Sequence, residues 1–243
     1  MAINTFTKDQ QVHEEIAEIL EDHADIIDSG QERRYLQLIL DMSGSVSPYV
    51  STIENGVKAL VKGLKEDPLS ETSIDIGITT FGSNVDMVPP TSITEFSMPS
   101  FRSSGATAMF EALEASFETV ELTKQHYRDN GMSYRRPIVV LMTDGYPTDV
   151  PIQDRKFQDL IGRIRDGEDQ KKWMFLPLAI DHSCLPAVDQ LSSNGAKELD
   201  PKAILAFMKW LSNSINTASN QASDPLAKSN PAMSDWEIIN NLS

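Results

Sequence analysis

Cysteine is almost missing from this chain: there is one, Cys184, in 243 residues. A lone thiol excludes an internal disulfide and fits a reducing compartment. Positive charge is scarce as well, with 21 Lys and Arg against 36 Asp and Glu and a formal net charge of -15. Such a balance offers no positive face to a phosphate backbone or an anionic bilayer, so neither nucleic acid nor a membrane is expected as a partner. No stretch approaches the ~20 consecutive apolar residues that a spanning helix needs. The opening Met-Ala-Ile-Asn-Thr-Phe-Thr-Lys-Asp has no basic cluster followed by an apolar run. It therefore does not read as a signal peptide, and a cytoplasmic location is expected. Catalytic arrangements are thin too. The histidines at 13, 23, 126 and 182 show no catalytic spacing, and there is neither a Gly-x-Ser-x-Gly elbow nor a Gly-rich phosphate loop ending in Lys-Ser or Lys-Thr.

What the chain does have is alternation of strand and helix patterns. Residues 35–40 form an apolar run that reads as a buried first strand. A helix is expected next, capped by Ser47 with Pro48 at its first position, striped by Val50, Ile53, Val57, Leu60, Val61 and Leu64, and ended by Asp67-Pro68. Ile74, Ile76 and Ile78 alternate in a strand over 73–81. Gly82-Ser83-Asn84 signals a hairpin into a strand from Val85 to Val88, stopped by Pro89-Pro90. A polar loop at 97–106 leads into a helix whose inner face carries Met109, Ala112, Leu113, Ser116, Phe117 and Val120. Ile138–Met142 is the most apolar strand. A helix near 154–165, a strand over 173–180 containing Pro177, a short helix near 184–191, a weak strand at 196–199 and a helix from Asp200-Pro201 complete the pattern. Pro177 removes a backbone donor, so irregular pairing or a neighbouring sheet edge is expected there. The alternation predicts an α/β, doubly wound, mostly parallel sheet with helices on both faces.

Two flanking segments differ in character. Residues 8–28 place Val12, Ile16, Ile19, Leu20, Ile26 and Ile27 at helical spacing, carry eight acidic residues against Lys8, and end at Gly30, a candidate helix cap. Residues 218–243 are rich in Ser, Asn and Ala, with breaks at Pro225 and Pro231, and close on an amphipathic Ser234–Leu242 stretch that suits docking on its own domain or on a partner. The expected organisation is an acidic helical extension over 1–32, a domain over 33–217, and a linker with tail over 218–243.

Three short pieces carry the chemistry: Asp41-Met42-Ser43-Gly44-Ser45, Gly105-Ala106-Thr107 and Thr143-Asp144-Gly145. Each follows a strand-like run or opens a helix. In a doubly wound sheet, ligands gather beyond the carboxyl ends of the strands, and chain order places all three pieces on that edge. Asp41, Ser43, Ser45, Thr107 and Asp144 supply two carboxylates and three hydroxyls, hard oxygen donors suited to Mg²⁺, with Mn²⁺ fitting the same set. Gly44 and Gly105 are expected to let the loops turn tightly. Asp181-His182 follows the fifth strand at the same edge and can line the metal rim. The plainer reading, which is preferred, is that Ser183 caps the next helix.

In this order, the Asp-x-Ser-x-Ser, Gly-x-Thr and Thr-Asp-Gly pieces resemble the metal-ion-dependent adhesion site (MIDAS) of von Willebrand factor A (vWA) domains. The resemblance covers roughly residues 33–217. The stretch Leu141–Asp149 is similar to the bacterial TerY-like group linked to tellurium resistance and to stress or defence gene clusters. The resemblance implies a six-stranded sheet with one antiparallel edge strand. It also implies that Ser43, Ser45 and Thr107 touch the metal while Asp41 and Asp144 act through water. Neutral hydroxyls leave the ion electrophilic, and the family uses its sixth position for a partner's Asp or Glu. Members often sit beside a kinase-like protein and a phosphatase, or beside an AAA+ ATPase. The expected function is thus a metal-dependent protein-binding module rather than an enzyme. Two alternatives stand against it. A Mg²⁺-dependent phosphohydrolase would need Asp41 as nucleophile together with a second acidic cluster and a positioned Lys, and no Gly-Asp-x-x-Asp cluster is present. The other is a subunit whose metal only locks its loops.

Overall fold

A computed structural model describes residues 30–221; the helix expected over 8–28 and the tail from 222 onward lie outside the described residues. Six strands form one sheet: β1 (Arg34–Asp41), β2 (Ile74–Phe81), β3 (Val85–Ser92), β4 (Ile138–Thr143), β5 (Met174–Ala179) and β6 (Lys197–Glu198). Their spatial order is β3-β2-β1-β4-β5-β6, and only the β2–β3 pairing is antiparallel. The chain first builds outward from β1 through β2 and β3, then returns to place β4 on the other side of β1. A crevice therefore opens between the carboxyl ends of β1 and β4, the switch point where such sheets place their ligands.

The period-2 pattern of the strands sorts side chains into two cores. Leu36, Leu38 and Leu40 of β1 join Ile74, Ile76, Ile78, Val140 and Met142 on one face, covered by helices α1 (Val50–Lys65) and α6 (Ile204–Ser219). Tyr35, Ile39, Val139, Leu141 and Phe175 face the other way, under α3 (Met109–Asp129), α4 (Arg155–Asp169) and α5 (Leu185–Asp189). Every residue of β1, β4 and β5 is buried, as expected for strands with helices on both sides.

Local details depart from the sequence reading in four places. Ser47 does not cap a helix: it opens a 3-10 turn, Ser47–Tyr49, whose preceding residue Val46 makes no side-chain cap. Asp67-Pro68 does more than end α1, because the Asp67 carboxylate accepts from the Ser70 amide and caps a further short helix, α2 (Pro68–Ser73). β3 runs through Pro89-Pro90 to Ser92, with a register shift opposite Ile76 and Ile78. An edge strand tolerates proline where one side needs no donor. Pro177 causes no irregular pairing with β4, whose register is unbroken over six pairs, and the other expectation holds: β5 has only the two-residue β6 on its outer side.

At the amino edge of the sheet one arginine gathers the chain's entry and exit. Arg135 donates through Nε to Glu32 Oε2 at 2.7 Å and through its terminal nitrogens to the carbonyls of Ala218 and Gln221. Helix α6 reaches Ser219, two residues past the expected domain boundary.

Candidate metal centre

Asp41 is the last residue of β1, and the loop after it is strapped from two sides. The Met42 amide donates to Phe81 O at 2.6 Å, Ser104 N to Met42 O at 2.8 Å, and Gly44 N to Gly105 O at 3.1 Å. These bonds carry the 104–107 loop onto the 41–45 loop. Gly105 has φ +57, and a Cβ there would collide with Ser83 Oγ, which itself accepts from the Ala106 amide at 3.2 Å. Gly105 therefore is required, as its place in the sequence suggested. Gly44 is not required in the same way: its φ is not positive, and a Cβ there would meet Gly105 O at an ordinary 3.4 Å.

Four of the five expected donors lie on one hydrogen-bonded arc. Asp41 Oδ1 accepts from Ser43 N at 2.7 Å; Ser43 Oγ and Ser45 Oγ lie 3.0 Å apart; Ser45 Oγ donates to Asp144 Oδ1 at 2.7 Å. Thr107 joins from the α3 loop. Its backbone is locked to Thr148, whose amide donates to Thr107 O at 2.9 Å while Thr148 Oγ1 accepts from Thr107 N at 2.8 Å. Its hydroxyl faces the Gly145 turn, 3.7 Å from where a Gly145 Cβ would stand. Asp41, Ser43 and Thr107 are buried, Asp144 is half-buried and Ser45 is exposed, so the arc runs from the core to the surface.

Thr143 is the residue that sequence reasoning passed over, although it stands in one of the three pieces. Its hydroxyl donates to Asp41 Oδ2 at 2.6 Å and accepts from the Gly145 amide at 3.2 Å. It thereby ties the end of β4 to the end of β1. The signal was its place at the carboxyl end of the most apolar strand, where a hydroxyl must find a partner.

The electrostatics are those of a site short of positive charge. Burial holds Asp41 above the usual carboxylate range; hydrogen bonds from Thr143 and Ser43 oppose this, and the charge of Asp144 adds to it. Asp144 is likewise raised by burial, with the Ser45 hydrogen bond opposing and Asp181 adding repulsion. Neither carboxylate has an ion-pair partner among the described residues. The donor set fits a small hard cation. Octahedral Mg²⁺ with bonds of about 2.0–2.1 Å sets neighbouring oxygens about 2.9 Å apart, and Ser43 Oγ and Ser45 Oγ already stand at 3.0 Å. No group of three or more His, Cys, Asp or Glu suited to a metal occurs among the described residues, so any site here depends on hydroxyls.

The rim beside Asp144 is built by the turn after β5. Asp181, not Ser183, is the cap: its Oδ1 accepts from the Ser183 amide at 2.7 Å. His182 turns to Glu198, with Nδ1 2.8 Å from Oε2, and that contact raises its pKa. Cys184 lies buried beneath, its thiol pushed up to about 11 mainly by burial. A thiol so raised stays protonated and unreactive at neutral pH.

No protein-family model matches the chain, and no curated protein sequence does. Solved structures do resemble it. The pilus adhesin SpaC of Lactobacillus rhamnosus GG, in its open conformation, superposes with a TM-score of 0.59 at 14% identity, over 76% of this chain and 30% of the adhesin. Proximal thread matrix protein 1 of the mussel byssus gives 0.53 at 14% identity, over 75% of this chain and 48% of that protein. The vWF domain of the type V pili tip protein Mfa5 from Porphyromonas gingivalis gives 0.51 at 9% identity, over 79% and 98%. The chain thus spans less than half of the first two proteins and nearly all of the isolated vWF domain. At these identities the likeness shows the fold alone: a vWA-type doubly wound sheet, mostly parallel with one antiparallel edge strand.

Proposed function

We propose that this chain is a metal-dependent protein-binding module, a scaffold or regulator in a bacterial stress-response or defence complex. One observation carries the reading. A chain of oxygen donors, Asp41–Ser43–Ser45–Asp144 with Thr107 beside it, sits at the switch point of the sheet with its negative charge uncompensated. Ser43, Ser45 and Thr107 would hold Mg²⁺ directly and Asp41 and Asp144 through water; Mn²⁺ suits the same oxygens. When bound, the ion supplies an electrophilic position open to a carboxylate. The protein's own groups do the positioning. Thr143 fixes the Asp41 carboxylate, the Gly44–Gly105 bond holds the two loops at one spacing, and Thr148 sets the height of Thr107.

The partner in this reading is a protein that offers an Asp or Glu side chain: a kinase-like protein and phosphatase pair, or an AAA+ ATPase. The Leu141–Asp149 stretch supports the stress-response assignment, and the single Cys184 supports a reducing, cytoplasmic setting. We take residues 33–217 as the module, with 1–32 and 218–243 as extensions that help to select the partner.

The test is affinity purification of the full chain from its native cells with Mg²⁺ or with a chelator, alongside Asp41→Ala and Thr107→Ala variants checked for folding by circular dichroism. A partner lost on chelation and in both variants is the expected result. Retention in both variants would falsify the metal-centred reading. A melting temperature that falls on chelation with no partner affected would assign the metal a purely structural role.

A further inference from the structure

The loops that follow β4 and β5 enclose a groove that the metal reading does not use. It has a volume of about 350 Å³ and is lined by Tyr146, Pro147, Pro151, Ile152, Pro186 and Gln190 among others, with no charged side chain on its walls. That size is at the lower end of small-ligand pockets and accommodates one large side chain. Its walls are set in advance. Three prolines stiffen it, and the half-exposed Tyr146 ring is pinned by its hydroxyl, which donates to Ser183 O at 2.6 Å. Charge begins at the edge. The two segments that form the banks, 144–154 and 181–190, contain five aspartates and no Lys or Arg. Four of these, Asp149, Asp154, Asp181 and Asp189, are exposed, and each accepts from one backbone amide, those of Glu111, Lys156, Ser183 and Ala196, at 2.7–3.0 Å. Such bonds favour the charged form and hold the carboxylate in place. The nearby cationic groups are turned elsewhere: Arg155 to Asp159, Lys156 to Glu114 and His182 to Glu198.

We infer that this groove is a docking site for a partner's peptide segment in which a large apolar side chain is flanked by Lys or Arg. The apolar side chain fills the neutral groove against Tyr146 and the prolines, and the flanking cations meet the aspartates on its banks. Charge complementarity selects this occupant. An acidic segment would meet like charge on both banks. A second copy of the chain brings its own net charge of -15, which opposes association. A purely apolar segment leaves the aspartates unmatched, whereas basic flanks are steered in and held in register. The exposed Tyr146 ring serves both parts, because it packs against an aliphatic chain and attracts a cation over its face. Tyr146 follows Asp144 by two residues, and the charge of Asp181 acts on Asp144. The groove therefore borders the candidate metal centre, and one segment can give a carboxylate to the ion and its apolar and basic residues to the groove. That joint use rests on the module reading above; the groove contact itself does not.

A random peptide library displayed on phage, panned against the full chain with the Tyr146→Ala chain as decoy, tests it. The expected consensus is an apolar residue with Lys or Arg close by on one or both sides. Synthetic copies of the selected peptides, followed by fluorescence anisotropy, should bind about tenfold or more weakly to Tyr146→Ala and, separately, to Gln190→Arg at the exposed rim. Both variants should keep the parent's circular dichroism. Replacing the peptide's apolar residue by Ala should cost as much, and added salt should weaken binding. No peptide enriched over the decoy, an acidic consensus, or affinities indifferent to both variants would overturn the inference. Panning with Mg²⁺ and again with chelator separates it from the module reading. Peptides that need Tyr146 and bind equally in both conditions keep the groove and remove the metal. Peptides that carry an acid, need Mg²⁺ and ignore Tyr146 keep the metal and remove the groove.

Discussion

Asp41 is a buried carboxylate held by two hydrogen bonds and, among the described residues, by no cation. Its pKa in the fold is raised above that of the unfolded chain. The sign of the linkage follows: at neutral pH, ionised Asp41 costs the metal-free fold stability, and that cost fades as pH falls through the raised value toward 3.8. Asn at this position keeps an acceptor for Ser43 N and lets Thr143 Oγ1 accept instead of donate. Asp41→Asn should therefore be at least as stable as the parent in urea unfolding with chelator at pH 7. The parent alone should respond to Mg²⁺, gaining about 2.7 kcal/mol at a hundred times Kd. A variant that loses more than ~1 kcal/mol in chelator would show that the charge itself binds the loops together. At this scale the candidate donors could be read from residue types and spacing. The partner of Thr143 could not, because the bond to Asp41 depends on β1 and β4 lying side by side across more than a hundred residues.

Elements meet where side chains are smallest. Along α1, a Cβ on Gly56 would approach Ile204 and Met208 of α6 at 3.1 Å, and one on Gly63 would lie 2.6 Å from Ser212 Oγ. The two glycines are seven residues apart, two turns on one face, so they mark the line along which α6 crosses. Gly63→Ala gains up to about 1 kcal/mol in helix propensity but presses on Ser212. Combining it with Ser212→Gly should recover stability non-additively, with a coupling of about 0.5–3 kcal/mol in a double-mutant cycle. Simple additivity would mean that the helices part without strain. Nearby, α2 is held by Asp67. Burial opposes its ionisation, but bonds from the Ser70 amide and the Asn220 side chain prevail and keep its pKa below 3.8. Its contribution is thus present above 3.8 and is lost as pH falls through the lower folded value. Asp67→Ala should cost about 0.5–2 kcal/mol at pH 7, with the gap narrowing in unfolding titrations below pH 3.8. A gap constant across that range would sink the charge argument. Apolar periodicity located both long helices of this face, yet the α2 cap was hidden because Asp-Pro reads equally as a stop and as a start.

The whole molecule is a sheet whose chain order reverses between β1 and β4. The three candidate pieces come from distant parts of the chain, but all open onto that one crevice. Mg²⁺ should therefore slow amide exchange in residues 41–45, 104–108 and 143–148 together. The amino edge around Arg33 and Arg135 should be unaffected. Protection confined to one segment would mean that the ion binds a single loop and not an assembled centre.

Local pattern determined the strands, the long helices, the two-faced burial and the types of the candidate oxygen donors, because periodicity and donor chemistry are properties of neighbouring residues. Strand order, the 3.0 Å approach of Ser43 and Ser45 hydroxyls and the Thr143–Asp41 bond were decided only in three dimensions. Each of these depends on segments tens of residues apart being pressed together by a common core, and no window of sequence contains that distance.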